Sequence, residues 1–328
     1  MNSSVPLVAI TRPLPGNAAA MLRGSGIDLE LRCNEIDRAL MRPELLDLVP
    51  GVHAILSTPV DRIDAEVLDA AGPQLRIVSN YAVGYDNVDV AACRSRNIVV
   101  GHTPDAVTEP TADVAWLLML AAARHAQEGS DLVRSGNWKG VSPNELCGMR
   151  LIGKTLFIVG AGRIGYATAR RSLGWNMRVL YHARSSHPEF EASPLNAQRV
   201  MLEEGLQQAD IVSLHTPLTD QTRHLMNRER LQLMKASAIL VNTARGAVID
   251  EAALVDALSN RQIAAAGLDV YEHEPRLAPG LAALPNVFLL PHLGSATTED
   301  RTWMTQIAVD NIVAGLTGNP LPHEVSLG

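Results

Sequence analysis

Between Thr155 and Gly174 the chain reads TLFIVGAGRIGYATARRSLG. An apolar, β-branched run is followed by three glycines and then a helical pattern. Few stretches constrain a fold more. Gly160 permits a tight turn, Gly162 lets backbone approach an anion, and Gly165 lets helix and strand pack closely. At the helix start, Arg163 and Ile164 present N–H groups with no intrahelical partner, which suits a pyrophosphate. A dinucleotide site is expected here. An overlapping match, GMRLIGKT at Gly148–Thr155, formally satisfies the P-loop pattern. Its Lys154-Thr155 runs directly into the strand instead of a helix, so a nucleotide hydrolase is rejected.

The same alternation runs along the whole chain. Strands are expected at Leu7–Thr11, Leu29–Cys33, His53–Ser57, Arg76–Asn80 and Ile98–Gly101. A helix at Asp64–Ala71 is one of those between them. A second series follows at Phe157–Gly160, Arg178–Tyr181, Ile211–Leu214, Ile239–Asn242, Ala265–Leu268 and Val287–Leu290. Strands alternating with helices imply parallel sheets covered on both faces, and two series imply two α/β lobes. The 328 residues suit two domains of roughly 100–200 residues each. Thr111–Gly136 reads as one long apolar helix between the series. Thr297–Gly318 opens with a capping-box pattern, Thr297 to Asp300, and puts Trp303, Met304, Ile307, Ala308 and Ile312 on one face. That last helix can carry the chain back onto the first lobe. The expected fold is therefore two doubly wound parallel-sheet lobes. A Rossmann-type cofactor domain, 104–292, is inserted into a flavodoxin-like substrate domain, 1–103 with 293–328.

A net charge of −7 argues against nucleic-acid or membrane-surface partners, which need basic patches. The longest apolar run, Val114–Ala123, is too short to span a bilayer. The amino-terminal stretch MNSSVPLVAITRPLPG lacks a basic segment followed by an apolar core, so no secretory signal is expected. Cys33, Cys93 and Cys147 lie far apart. They read as reduced thiols of a cytosolic protein, buried as small apolar residues.

Arg178–Phe190, RVLYHARSSHPEF, raises the question of which dinucleotide. An acidic residue about 20 positions beyond the glycines usually binds a free ribose hydroxyl, and here the first one is Glu189. Arg184, Ser185 and Ser186 instead offer a cationic fork and hydroxyl donors, which suit the 2′-phosphate of NADP. His182 and His187 lack partners at metal-ligand spacing, so no metal is expected. Further on, Arg245, Asp269, Glu274 and His292 follow successive strand ends. In parallel sheets ligands bind beyond those ends, so this set is a candidate proton-transfer site.

At these residues the chain resembles the D-isomer-specific 2-hydroxyacid dehydrogenases, and within them the glyoxylate/hydroxypyruvate reductases most, with 2-ketogluconate reductases close behind. The resemblance spans NYAVGYDNVD, HTPDAVTEPTAD, GKTLFIVGAGRIG, LVNTARGAVIDE, AAGLDVYEHEP and LPHLGSAT. It includes the spacings of 29 residues from Arg245 to Glu274 and 18 from Glu274 to His292. It implies an NADPH-preferring enzyme that reduces small 2-keto acids, with NAD possible. His292 would be the acid–base, Glu274 would hold and charge its imidazole, and Arg245 would bind the substrate. Backbone N–H groups of Val83 and Gly84 would hold the substrate carboxylate across the two lobes. Pro217, Thr243, Asp269 and Gly294 match cofactor contacts, and a cytoplasmic homodimer is implied. Many glyoxylate reductases carry a tryptophan in the loop matching VSPNELCG. Here Glu145 and Leu146 stand in that loop and the nearest tryptophan is Trp138. Either the more polar loop suits a longer, hydroxylated keto acid such as 2-ketogluconate as the alternative substrate, or it has no bearing on the pocket. A rival of another class is a non-catalytic dinucleotide-sensing scaffold, which the Arg245, Glu274 and His292 set weighs against.

Overall fold

A computed structural model describes residues 5–325. Residues 1–4, which open the stretch read for a secretory signal, and 326–328, which close the expected substrate domain, lie outside the described residues. By its contacts the chain divides between Val107 and Thr108 and again between Gly294 and Ser295. The first unit is therefore discontinuous. Both crossings fall a few residues beyond the expected 103/104 and 292/293.

The first unit carries strands β1 (Leu7–Ile10), β2 (Glu30–Cys33), β3 (Ala54–Ser57), β4 (Ile77–Asn80) and β5 (Val99–Gly101). They form one parallel sheet in the order β2-β1-β3-β4-β5, the flavodoxin-like order. Asp64 caps the helix Ala65–Ala71, its side chain accepting from the Val67 N–H. The helix Thr298–Thr317 closes the unit, with Thr297 accepting from the Asp300 N–H as its cap. The Ser79 hydroxyl donates to Ala308 O at 2.9 Å, and the Asn311 amide donates to His102 O at 3.1 Å. Met304, Ile307, Ala308 and Ile312 are buried, whereas Trp303 is 50 % exposed. Trp303 stands about 100° behind Met304 around the helix, which places it on the flank of the stripe instead of in it.

The second unit carries β6 (Thr155–Val159), β7 (Arg178–His182), β8 (Gln198–Arg199), β9 (Ile211–Leu214), β10 (Ile239–Asn242), β11 (Ala265–Leu268) and β12 (Val287–Leu289). All pair in parallel, in the order β12-β11-β10-β9-β6-β7-β8. Phe157, Val159, Val212, Leu214 and Leu240 pack on one face of the sheet, and Leu156, Ile158, Tyr181, Ile211 and Val241 on the other. Burial on both faces is why these strands are continuous apolar runs. Strand β8 was not expected from sequence. It is two exposed residues long and has no apolar run to mark it.

The long helix expected over Thr111–Gly136 is two helices, Thr108–Ala123 and Ala126–Arg134. His125 breaks them in a left-handed conformation, φ 52° and ψ 42°. The reason lies downstream. Met149 N–H donates to Ala123 O at 2.8 Å, so the returning chain takes a carbonyl at the end of the first helix. Gly148 stands so close that a Cβ there would lie 2.1 Å from the same oxygen. The first helix is buried against the sheet, and no residue of the second is buried.

All three cysteines are free, but only Cys93 is buried. Burial pushes its thiol up to about 12. Cys33 is half-buried and Cys147 exposed, so the expectation of three buried thiols fails for those two. Among the described residues no helix is long and apolar enough to cross a membrane.

Gly101 closes β5 against the final helix, where an added Cβ would lie 2.8 Å from Asn311 Cγ. Asn311 is buried and hydrogen-bonded, so it has little freedom to yield. Gly101→Ala is expected to destabilise by about 1–3 kcal/mol, the range for overpacking. Urea unfolding of the two proteins measures it, and an unchanged midpoint would contradict the packing described.

Candidate active site

Strand β6 ends at Val159 and the glycine turn follows. Gly160 has φ +104°, and a Cβ there would lie 2.6 Å from His215 O, just beyond the end of β9. A Cβ on Gly165 would lie 2.2 Å from Gly160 O. Both positions therefore demand glycine for internal reasons. Gly162 differs. It caps the helix Arg163–Arg171 with no side-chain bond, and a Cβ there would meet no protein atom within 4 Å. Its glycine answers to what approaches from outside, as a pyrophosphate would. Arg163 and Ile164 open that helix and set their N–H groups on the same turn.

Two hydroxyls beyond neighbouring strand ends point the same way. Thr243, an expected cofactor contact after β10, is buried, and its hydroxyl finds no hydrogen-bond partner among the described residues. Thr216, after β9, is alike in this. The Thr103 and Thr168 hydroxyls are also without partners, but Thr216 and Thr243 stand together beyond adjacent strands, where a bound ligand would give both a partner. Pro217 follows Thr216 on an exposed turn, its carbonyl accepting from the Thr222 hydroxyl at 2.6 Å. The residues present thus fit a nicotinamide dinucleotide lying across the ends of β6, β9 and β10. His215, which the sequence reading passed over, bonds the Ser213 hydroxyl through Nε2 at 2.9 Å, and burial pushes its imidazole down to about 3. It is neutral at physiological pH.

The loop after β7 is exposed at Arg184, Ser185 and Ser186. Arg199, on β8, was not foreseen. Its guanidinium donates to Ala183 O at 3.0 Å and to Arg184 O at 2.8 Å, fixing the loop and adding a second cation. Ser186 corrects the expected pattern. Its hydroxyl donates to Glu191 at 2.9 Å, and Glu191 also accepts from the Tyr181 hydroxyl. A carboxylate therefore does stand at this strand end, delivered by a residue beyond the one the spacing rule points to. Hydrogen bonds from Tyr181 and Ser186 hold it below the usual carboxylate range.

The remaining candidates converge. Buried Asn242 ties the turn after β10. Its amide nitrogen donates to Arg245 O at 2.9 Å, and its amide oxygen accepts from the Ala244 N–H at 3.0 Å. His292 sits after β12 at φ 57°, a left-handed conformation uncommon for a non-glycine residue. Asp269 holds it there. The Asp269 carbonyl accepts the His292 N–H at 2.9 Å, and its carboxylate accepts the N–H groups of Leu293 at 2.6 Å and Gly294 at 2.8 Å. Burial raises the Asp269 carboxyl, while those N–H groups and the His292 charge pull against it. Expected as a cofactor contact, Asp269 is seen here organising the histidine turn. Gly294 is buried in that turn, with its carbonyl accepting from the Thr111 hydroxyl at 3.1 Å.

Glu274 Oε2 lies 2.9 Å from His292 Nδ1, and Glu274 Oε1 accepts the Tyr271 N–H at 3.0 Å. Burial pushes the Glu274 carboxyl up. The bond and charge of His292, the Tyr271 N–H and the charge of Arg245 outweigh it and hold the carboxyl below its ordinary range. Arg245 is thus within electrostatic reach of the pair. Gly246 brings the two loops together, since a Cβ there would stand 1.8 Å from the Tyr271 carbonyl carbon. Val83 and Gly84 belong to the first unit. Val83 O lies 2.9 Å from His102 Nδ1, and Gly84 O accepts from the Asn80 amide at 3.0 Å. Among the described residues no group of three His, Cys, Asp or Glu side chains could hold a metal ion.

A dinucleotide turn at the switch point of a doubly wound sheet, with an Arg, Glu and His beyond the neighbouring strands, defines a nicotinamide-dependent oxidoreductase. Residues 116–294 match the family model described as D-isomer specific 2-hydroxyacid dehydrogenase, NAD binding domain. The chain belongs to that family. A glyoxylate reductase of Pyrococcus furiosus is 47 % identical over 325 residues, 98 % of this chain and 95 % of the relative. Among solved structures, a glyoxylate reductase from Paecilomyes thermophila is 34 % identical at a TM-score of 0.87, covering 98 % of each chain. An NADPH-dependent glyoxylate/hydroxypyruvate reductase from Sinorhizobium meliloti, in complex with NADP and malonate, is 33 % identical at a TM-score of 0.85, covering 98 % of this chain and 97 % of that one.

The Gly246 contact predicts that Gly246→Ala pushes the Arg245 and Glu274 loops apart. A shift of about 1 Å costs roughly 100-fold in turnover. Steady-state kinetics on folded variant measures it, and activity within a few-fold of the parent would show that the contact does not govern the site. The lowered Glu274 carboxyl has a pH consequence. Its contribution to stability is complete above the unfolded carboxylate value of about 4.3 and is lost as pH falls through the lower folded value. Unfolding midpoints followed from pH 7 into acid are expected to fall less steeply in Glu274→Gln than in the parent.

Proposed function

We propose that the enzyme reduces small 2-keto acids, glyoxylate and hydroxypyruvate, to 2-hydroxy acids, with NADPH preferred over NADH. The observation that carries this reading is the Glu274–His292 pair within reach of the Arg245 charge. The bound dinucleotide supplies a hydride to the carbonyl carbon. His292 uses Nδ1 toward Glu274, which leaves Nε2 to protonate the carbonyl oxygen during reduction and to take the proton back during oxidation. Glu274 stabilises the charged imidazole and fixes its ring. Arg245 binds the substrate carboxylate and polarises the carbonyl.

Arg184 and Ser185 support the NADPH preference, with Arg199 as a second cation. The NADPH dependence of the Sinorhizobium meliloti relative agrees with it. Glu191 acts in the other direction, so NADH use is reduced and not abolished. A homodimer is proposed because Val133, Trp138 and Val141 leave apolar side chains exposed along the segment after the first helix break. Three free cysteines suit a reducing compartment, and the cytosol is the proposed location.

Turnover followed by nicotinamide absorbance, with glyoxylate, hydroxypyruvate and 2-ketogluconate against NADPH and NADH, tests the reading. Fast reduction of the two small acids with NADPH is expected. Preference for 2-ketogluconate would replace the substrate assignment and point to the exposed loop around Glu145. No turnover with any pair, combined with tight dinucleotide binding, would favour the sensing scaffold. His292→Ala is expected to lose about 10²–10⁴-fold. Arg184→Ala is expected to raise the KM for NADPH by roughly 10- to 150-fold, the equivalent of one charge-assisted hydrogen bond, with a much smaller effect on NADH. Equal losses with both cofactors would remove Arg184 from the phosphate site.

A further inference from the structure

We infer that Glu251 is a positioning residue for the acid–base pair, its single buried carboxylate clamping both ends of the loop that carries Glu274. The inference rests on the acid–base reading above and extends it. Glu251 opens the helix Glu251–Ser259, directly after the stretch that delivers Arg245. An acidic residue in a first helical turn is ordinary when it faces water, where it complements the helix dipole. Glu251 does not face water. It is 5 % exposed, and burying a carboxylate is costly unless hydrogen bonds replace its hydration.

The bonds that replace it are specific. Glu251 Oε2 accepts the Glu272 N–H at 2.8 Å, and Oε1 accepts the Ala278 N–H at 2.9 Å. Glu272 answers in kind. Its Oε2 accepts the Glu251 N–H at 3.4 Å, and its Oε1 lies 2.6 Å from His224 Nε2. Residues 272–278 lie between β11 and β12 outside any strand, with only an isolated bridge, His273 to Arg276, inside the loop. Successive N–H groups are therefore taken by two carboxylates: Tyr271 by Glu274 and Glu272 by Glu251. The first orients Glu274 within the loop. The second fixes the loop to the helix that follows Arg245. A charge-assisted bond such as Glu274–His292 is sensitive to small displacements, and a loop without a ladder supplies no such precision by itself.

The test uses the full-length enzyme saturated with NADPH and compares Glu251→Gln, Glu274→Gln and the double variant by pH profiles of kcat/KM for glyoxylate. Glutamine keeps one acceptor oxygen and the side-chain volume but cannot accept both N–H groups on carboxylate oxygens. Glu251→Gln is expected to lower kcat/KM about 10-fold while leaving the KM for NADPH within about 2-fold. The alkaline limb of the kcat/KM profile for reduction is expected to move to lower pH, because a loosely held Glu274 carboxylate supports the acid form of the pair less. Glu274→Gln should show the same movement, and the double variant should be no worse than Glu274→Gln alone. An unmoved limb, or a loss that adds in full to that of Glu274→Gln, would overturn the inference. If Glu251→Gln does not fold, Ala278→Pro decides. It removes one clamped N–H with Glu251 intact, and should move the limb in the same direction. A parental limb there overturns the clamp. Full turnover in both His292→Ala and Glu274→Gln would instead sink the acid–base reading, whatever Glu251→Gln does.

Discussion

Parallel pairing of β9, β10, β11 and β12 sends the carboxyl end of each strand to one edge of the sheet, and the site follows from that alignment. Thr216, Thr243, Arg245, Asp269 and His292 each lie within a few residues of such an end. In an antiparallel arrangement alternate ends point apart, and the set would be split between the two edges of the sheet. The cost of the alignment is a set of crossover helices on both faces. That requirement accounts for the apolar strands, for the packed layer on each side of the sheet, and for the close approach at Gly165.

Within that frame, backbone N–H groups held by carboxylates do the fine placement. Asp269 takes two at the His292 turn, Glu251 takes two at the Glu274 loop, and Glu274 takes one from Tyr271. Glycine handles the closest contact, Gly246 against Tyr271, because no side chain fits. At Asp269 and Glu251 the charge is buried, and it is tolerated because N–H donors replace water. The arrangement sets the Glu274 carboxylate 2.9 Å from His292 Nδ1, with one of its oxygens held by the Tyr271 N–H.

Most of the architecture was legible along the chain. Both series of strands, the capped final helix and the discontinuous first unit follow from periodicity and from Thr297 to Asp300. The failures were local and share a cause. Strand β8 had no apolar run. Trp303 was read onto a face it only borders. The break at His125 depends on Gly148 and Met149 returning to Ala123, a contact with no trace in the helical pattern. Cys147 is exposed because its loop is, which a residue type cannot signal. Arg245, Glu274 and His292 were picked out from strand-end position and family resemblance, and the fold sets Glu274 against His292 within reach of the Arg245 charge. Gly246, Glu251 and Arg199 were not picked out, since each meets backbone atoms of a different loop or strand, while Asn242 acts inside its own turn and carries no motif to mark it.

The sequence by itself determined the fold class, the location of the dinucleotide turn and the residue types available for proton transfer, because these depend on periodicity and on near neighbours along the chain. Only the tertiary structure decided which carboxylate meets which donor. Glu191 reaching back to Ser186, Asp269 turning to the His292 loop and Glu251 clamping residues 272 and 278 are choices among several acidic residues at similar spacings. Hydrogen bonds select among them through sub-ångström geometry, and that geometry exists only once the strands are paired and the loops are packed.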